Sequence, residues 1–79
     1  MEFKELIAEV LDEARTSKGT YRIYPDPFDL VCVGWDEESD MFFVADLGLV
    51  EYETESAQEF MEKAPEILER MLQEFYAGG

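Results

Sequence analysis

The chain has 79 residues, enough for one domain with no room for a second core. Twenty acidic residues against six basic ones give a formal net charge of −14 at pH 7, and there is no histidine. Nucleic acid and anionic membranes repel such a polyanion, so we expect it to bind neither directly. With 47% hydrophobic residues, the chain is also too apolar for a disordered acidic tail.

The residue types present argue against catalysis and against a bound cofactor. Without histidine, the chain lacks the usual general base near neutral pH and the commonest metal ligand. Its one cysteine, Cys32, stands between two valines, so we expect a reduced, buried thiol with no base to activate it. We therefore expect a non-enzymatic protein with no catalytic residues, no metal and no cofactor.

We recognise no targeting segment at the N-terminus, because a basic region followed by a long apolar run is missing. The longest apolar run, residues 30–35, is far shorter than the roughly 20 residues that cross a bilayer. The sequence therefore predicts a cytoplasmic protein that makes no membrane contact.

The beginning of the chain has the pattern of an amphipathic helix. Apolar residues recur every three or four positions on one face, and acidic residues occupy the other face. Gly19 suits the position after a helix end, so we predict a helix from about residue 2 to residue 17. The apolar stripe consists of Phe3, Leu6, Ile7, Val10, Leu11 and Ala14.

The middle of the chain is typical of antiparallel strands separated by short turns. A Pro-Asp-Pro loop at 25–27, a polar turn at 36–40 and a turn at Leu47 and Gly48 interrupt the apolar segments. In the last strand we expect Val50 and Tyr52 on one side of the sheet, with the acidic residues between and after them on the other side. The predicted strands are residues 20–24, 30–35, 41–45 and 49–54.

The C-terminal part is predicted to be helical. Ser56 and Glu59 have the spacing of a capping box, in which each side chain binds the other residue's free amide. Pro65 interrupts the helical periodicity, so we predict a short helix at 56–63 and a longer one at 65–76. The predicted fold is α+β with the order α-β-β-β-β-α, a small antiparallel sheet of three to four strands flanked by an N-terminal helix and a Pro-kinked C-terminal helical segment.

The two central strands do not alternate between apolar and polar residues. Residues 30–33 and 41–44 are apolar at every position, so both faces of this hairpin need cover. The simpler expectation is that helices cover both faces of the sheet. The alternative is that the second face meets another copy of the chain or a different protein.

The polar turn has a partial likeness to a calcium-binding loop. Asp36, Glu38 and Asp40 stand at alternate positions, as the first three ligands of such a loop do. Met41 then replaces the required glycine, and Leu47 replaces the bidentate glutamate. We therefore interpret the segment as a solvated hairpin turn.

Most of the negative charge lies in the predicted sheet region. Residues 19–54 contain nine acidic residues and one basic residue, which accounts for −8 of the net charge. If Glu51 and Glu53 project the same way, they lie about 6.6 Å apart along a strand. That spacing is of the same order as the phosphate repeat of about 3.4 Å along one DNA strand. A row of carboxylates is thus suited to a basic groove made for phosphates.

The chain is similar in size, charge and lack of catalytic residues to small acidic inhibitors, namely phage-encoded anti-CRISPR and anti-restriction proteins and the immunity proteins of nuclease toxins. That resemblance implies a blocker of a partner with a basic, nucleic-acid-binding surface. Aromatic side chains beside the acids are candidate anchors for such a contact. The candidate phosphate substitutes are Asp36, Glu37, Glu38, Asp40, Glu51 and Glu53, and the candidate anchors are Tyr24, Phe28 and Trp35.

A second hypothesis is a homodimeric interaction module, acting as a chaperone or adaptor through an apolar sheet face. Both a monomer and a homodimer are compatible with the sequence. Acidity that serves only solubility or salt adaptation is a third interpretation of the same composition.

Overall fold

The computed structural model describes residues 3–16 and 19–78. The predicted α+β fold is confirmed, with four antiparallel strands in one sheet between two helices. The strands lie in the order β1-β2-β3-β4, so each strand pairs with its neighbour in the chain. The elements are α1 (Phe3–Thr16), β1 (Tyr21–Ile23), β2 (Val31–Asp36), β3 (Met41–Asp46), β4 (Leu49–Thr54) and α2 (Ala57–Gly78). The predicted first and last residues of α1, 2 and 17, lie outside the described residues.

Both helices pack on the same face of the sheet, which we call the inner face. Val33 and Val44 at its centre have no exposed surface, and the rings of Phe42 and Phe60 stack with centroids 4.9 Å apart. Alternation along the strands sends these side chains to one side, where the apolar stripes of the helices meet them. The main core comprises Phe3, Ile7, Val10, Leu11, Phe28, Val31, Val33, Val44, Phe60, Ala64 and Leu68.

The expectation that helices cover both sheet faces is wrong. The opposite, outer face carries a small apolar cluster of Cys32, Phe43 and Ala45, and none of the described helix residues belongs to it. These three side chains are nevertheless at most 9% exposed. Within residues 3–16 and 19–78, neighbouring strands and not a helix therefore shield this face.

A bulge in β4 changes which side chains share a face. Val44 pairs with Tyr52 and Ala45 pairs with Val50, which leaves Glu51 as an extra residue. Tyr52 consequently packs on the main core, whereas Val50 lies beside the outer cluster. The prediction that Val50 and Tyr52 share one side is therefore wrong, because strict alternation holds only in a regular strand.

The helix α2 is continuous through Pro65, so the predicted break there is wrong. A proline removes one backbone donor, but Phe60 and Ala64 before it and Leu68 after it are all fully buried. Packing on both sides of the proline thus holds the two halves in one helix. Within the described residues, neither helix combines the length and the apolar composition that a membrane span requires.

The predicted capping box at the start of α2 is half formed. The amide of Glu59 donates to Ser56 Oγ at 3.1 Å, as expected. The carboxylate of Glu59 does not return to the Ser56 amide, which donates instead to Thr54 Oγ1 at 3.1 Å. Glu59 accepts a hydrogen bond from the Tyr52 hydroxyl at 2.6 Å, which ties α2 to β4.

Gly34 allows β1 to approach the centre of the sheet closely. A methyl group at this position would clash with the carbonyl oxygen of Tyr21 and lie 2.8 Å from Arg22 Cα. We expect Gly34→Ala to lower the free energy of unfolding by about 3 kcal/mol, because backbone must move to admit the methyl group. Urea denaturation measures the change. The matched control is Gly78→Ala, where no atom lies within 4 Å of the added methyl group; an equal loss in both variants contradicts the packing argument.

The β3–β4 turn places an unfavourable residue in the left-handed region. Leu47 has φ 55° and Gly48 has φ 81°, the signs of a type I′ turn, which favours Asn-Gly. We expect Leu47→Asn to raise the free energy of unfolding by about 1 kcal/mol, since left-handed backbone is costly for leucine. Leu49→Asn is the control, because Leu49 is similarly exposed and has no positive φ. A gain at both positions would point to reduced surface hydrophobicity instead of turn geometry.

Candidate functional site

The β2–β3 hairpin ends in an ordered loop that carries four carboxylates, which we call the acidic tip (Asp36, Glu37, Glu38 and Asp40). The amide of Asp40 donates to the Asp36 carbonyl oxygen at 2.8 Å and closes the loop. Asp40 itself has φ 56°, a conformation that aspartate tolerates better than most residues. The loop is therefore a closed turn and not an open segment.

Hydrogen bonds hold the acidic tip against the segment that precedes β1. Thr20 Oγ1 accepts the Glu37 amide at 3.1 Å and donates to Asp36 Oδ1 at 3.3 Å. The same carboxylate oxygen accepts the Glu38 amide at 3.1 Å. Asp36 thus orders the loop backbone, while Glu37 and Glu38 remain exposed.

Trp35 contributes to the acidic tip as a positioning residue. Its indole Nε1–H donates to Asp40 Oδ1 at 3.1 Å. The side chain is partly buried, and the backbone of Trp35 pairs with Tyr21 on one side and Phe42 on the other. Its ring therefore fixes the end of the tip and offers only part of its surface to a partner.

Glu53 lies next to the acidic tip on the outer face. It lines a shallow depression of about 200 Å³ together with Asp36 and Ser39, and Arg22 also lines it. Glu51 lies elsewhere, because the bulge turns it toward a different cavity beside α2. The expectation that Glu51 and Glu53 form one row of carboxylates is therefore wrong.

Two of the predicted aromatic anchors lie away from the acidic tip. Tyr24 is 55% exposed and follows Ile23, which pairs with Val33 in the first half of β2, whereas the tip follows the end of that strand. Phe28 is only 6% exposed and packs edge-on against Phe75, with ring centroids 5.8 Å apart. Phe28 thus packs in the core and offers little surface to a partner.

The surroundings of Cys32 keep its thiol protonated. Burial raises the pKa of Cys32, and Arg22 and the Tyr24 hydroxyl only partly oppose this effect. Among residues 3–16 and 19–78, no three cysteine or carboxylate side chains are grouped so as to hold a metal ion.

The structure also contains a cleft that sequence reasoning missed, at the end of the sheet opposite the acidic tip. The 22 residues of α2 extend about 33 Å, whereas a six-residue strand extends only about 20 Å. The last turns of α2 therefore project past the sheet. The cleft between them and the sheet has a volume of about 610 Å³ and is lined by Phe28, Asp29, Leu30, Val31, Asp46, Glu51, Ile67, Arg70, Met71, Glu74 and Phe75.

One signal in the sequence points to this cleft. Ile67, Met71 and Phe75 recur every four residues, so they lie along one stripe of the predicted C-terminal helix. The observed helix Ala57–Gly78, continuous through Pro65, is longer than the strands, so the sheet does not cover the whole stripe. Phe75 accordingly remains 47% exposed.

Comparison of the chain with protein-family models, with curated proteins and with solved structures finds no match. The candidate surfaces therefore rest on their own geometry and charge.

The Tyr52–Glu59 hydrogen bond gives a pH-dependent contribution to stability. Burial, followed by the bond to Glu59 and its charge, raises the pKa of Tyr52 from 10.0 to about 12, and the same bond lowers the pKa of Glu59. The pKa of Tyr52 is higher in the folded protein than in the unfolded chain. Its contribution to the free energy of unfolding is therefore complete below pH 10 and is lost between pH 10 and about 12. The Glu59 contribution has the opposite sign and is lost as acid protonates that carboxylate.

We expect Glu59→Gln to lower the pKa of Tyr52 while leaving it above the ordinary value, since burial persists. Titration of ¹³C-labelled tyrosine by NMR measures this pKa. Glu62→Gln, an exposed position further along α2, is the control and is expected to leave the Tyr52 titration unchanged. An unshifted Tyr52 titration in Glu59→Gln would mean that the bond has no electrostatic effect.

Proposed function

We propose that this protein is a non-enzymatic inhibitor that binds the basic, nucleic-acid-binding surface of a protein partner. The acidic tip is the contact, and Glu53 extends it onto the outer face. The observation that carries the proposal is the order of the tip, in which Thr20, Trp35 and a backbone amide hold the carboxylates of Asp36 and Asp40. A surface arranged before binding loses less conformational entropy when a partner arrives.

Charge is the second support for the proposal. The tip places four carboxylates within five consecutive residues, so each carries the repulsion of its neighbours. A partner rich in lysine and arginine relieves this repulsion, and the attraction also accelerates the encounter. Such residues line the grooves in which proteins hold the phosphates of nucleic acid. The tip therefore competes with nucleic acid for the same groups.

The partner class follows from this chemistry. Anti-CRISPR, anti-restriction and nuclease-immunity proteins of phages and bacteria all act on nucleic-acid enzymes, and the proposal assigns the chain to that kind of inhibitor. Because such enzymes work on intracellular nucleic acid, the proposal includes a cytoplasmic location. The alternative, a homodimeric module paired through its outer sheet face, has less support, since Cys32, Phe43 and Ala45 expose little apolar surface.

The test begins with capture of the partner from nuclease-treated host extract on the immobilised protein, followed by affinity measurements on the purified pair. We expect affinity to fall about tenfold or more when salt rises from about 50 mM to about 300 mM, because screening weakens exposed charge pairs. A short DNA or RNA duplex is expected to displace the protein from its partner. Binding that ignores both salt and duplex contradicts the proposal.

Charge reversal locates the contact on the protein. We expect the double variant Glu37→Lys/Glu38→Lys to bind about tenfold or more weakly. The matched control, Glu62→Lys/Glu66→Lys, changes the net charge equally on the exposed side of α2 and is expected to keep most of the affinity. If both pairs weaken binding equally, net charge and not the tip is responsible.

Thr20→Val tests order at constant charge. It removes the hydroxyl that accepts the Glu37 amide and bonds Asp36, so the tip keeps its carboxylates but loses these two bonds. We expect a smaller loss of affinity than charge reversal causes, since only ordering of the loop is affected. Wild-type affinity in this variant would mean that the pre-ordered geometry is irrelevant to binding.

A further inference from the structure

We infer that the cleft at the end of the sheet opposite the acidic tip is a second docking surface, and that its occupant is a basic amphipathic segment of a protein partner. The segment places apolar side chains in the cleft and lysine or arginine at its rim. This inference goes beyond the proposed function, because it concerns different residues at the other end of the sheet and does not require a nucleic-acid-binding partner.

The floor of the cleft is apolar. Phe28, in the loop before β2, and Val31, the first residue of β2, line one side and are almost fully buried. Ile67 and Met71 on α2 line the other side and are only partly buried. Phe75 at its far end is 47% exposed. A cleft of about 610 Å³ falls within the range of roughly 300–1,000 Å³ typical of binding pockets. It therefore has room for several side chains of a partner.

The rim of the cleft is predominantly negative. Four carboxylates line the cleft, those of Asp29, Asp46, Glu51 and Glu74, and Arg70 supplies the one guanidinium group among the lining residues. The lining therefore carries an excess of three negative charges at neutral pH. Charge complementarity selects a cationic occupant and disfavours an acidic peptide, a fatty acid or a nucleic acid.

The apolar floor and the negative rim together define the occupant. A purely basic segment leaves the apolar floor in water, and a purely apolar segment leaves the carboxylates without partners. A segment with apolar residues on one side and basic residues on the other satisfies both, as an amphipathic helix in a groove does. Exposed apolar surface surrounded by polar groups is characteristic of protein interaction sites.

Methionine methyl groups provide a native probe of the cleft. Met71 lines it, Met41 begins β3 next to the acidic tip, and Met61 is an exposed residue of α2 that does not line the cleft. The test titrates ¹³C-methyl-methionine protein with a synthetic helical peptide of leucine and lysine. We expect a saturable shift of the Met71 signal with little change at Met41 and Met61. A peptide with glutamate in place of lysine is expected not to bind.

Three outcomes of this titration would overturn the inference. They are no binding of the leucine–lysine peptide, binding that shifts Met41 in place of Met71, and equal shifts of all three methyl groups. The second outcome would assign the peptide to the acidic tip, and the third would indicate non-specific attraction to the net negative charge.

Paired charge variants separate the cleft from the rest of the surface. We expect Glu51→Lys/Glu74→Lys to weaken the peptide about tenfold, because two rim charges are reversed. The matched control, Glu62→Lys/Glu69→Lys, makes the same charge change at exposed positions of α2 that do not line the cleft and is expected to retain affinity. Equal weakening by both pairs contradicts a defined site.

Glu37→Lys/Glu38→Lys is expected to leave the Met71 shift intact. A failure of the cleft to bind the peptide is therefore distinguishable from a failure of the proposed inhibitor function.

Discussion

The arrangement of the molecule depends on the packing of both helices against a single sheet face. Two helices and four strands in a chain of this length make two layers, and the stacked rings of Phe42 and Phe60 lie between them. The outer face must then be closed by the strands alone. Gly34 makes this possible because β1 backbone occupies the space that a side chain would need. The apolar centre of the outer face is thus largely shielded, although no described helix packs on it.

The two candidate surfaces lie at opposite ends of the sheet and differ in how they are built. At the end where β4 passes into α2, the Tyr52–Glu59 bond joins helix to sheet, and the β2–β3 hairpin carries the acidic tip. At the other end the helix continues beyond the sheet, and its apolar stripe forms one wall of the cleft. Charge dominates one end, whereas the other combines apolar surface with charge. A hairpin loop thus produces the charged surface, and the extra length of α2 produces the mixed one.

Local patterns in the sequence predict the elements of this fold. They do not predict features that depend on how several elements pack together. Hydrophobic periodicity was sufficient for the order of helices and strands, and the polar residues at 36–40 marked the hairpin tip. The predicted helix break at Pro65 was wrong because a rule for isolated helices takes no account of the core contacts on both sides of the proline. The bulge at Glu51 depends on the pairing of β3 with β4, which alternation within one strand does not reveal. The cleft required a comparison of element lengths in three dimensions.

The outer face also has a consequence for the chemistry of the single thiol. Cys32 is 7% exposed in the central part of the sheet, and burial raises its pKa, so the reactive thiolate is scarce and shielded near neutral pH. A maleimide or disulfide reagent approaches the sulfur from the outer face, where Cys32 lines the depression beside Arg22 and Phe43. The rate of alkylation under native conditions is therefore a built-in measure of how well this face shields its centre, without any added label.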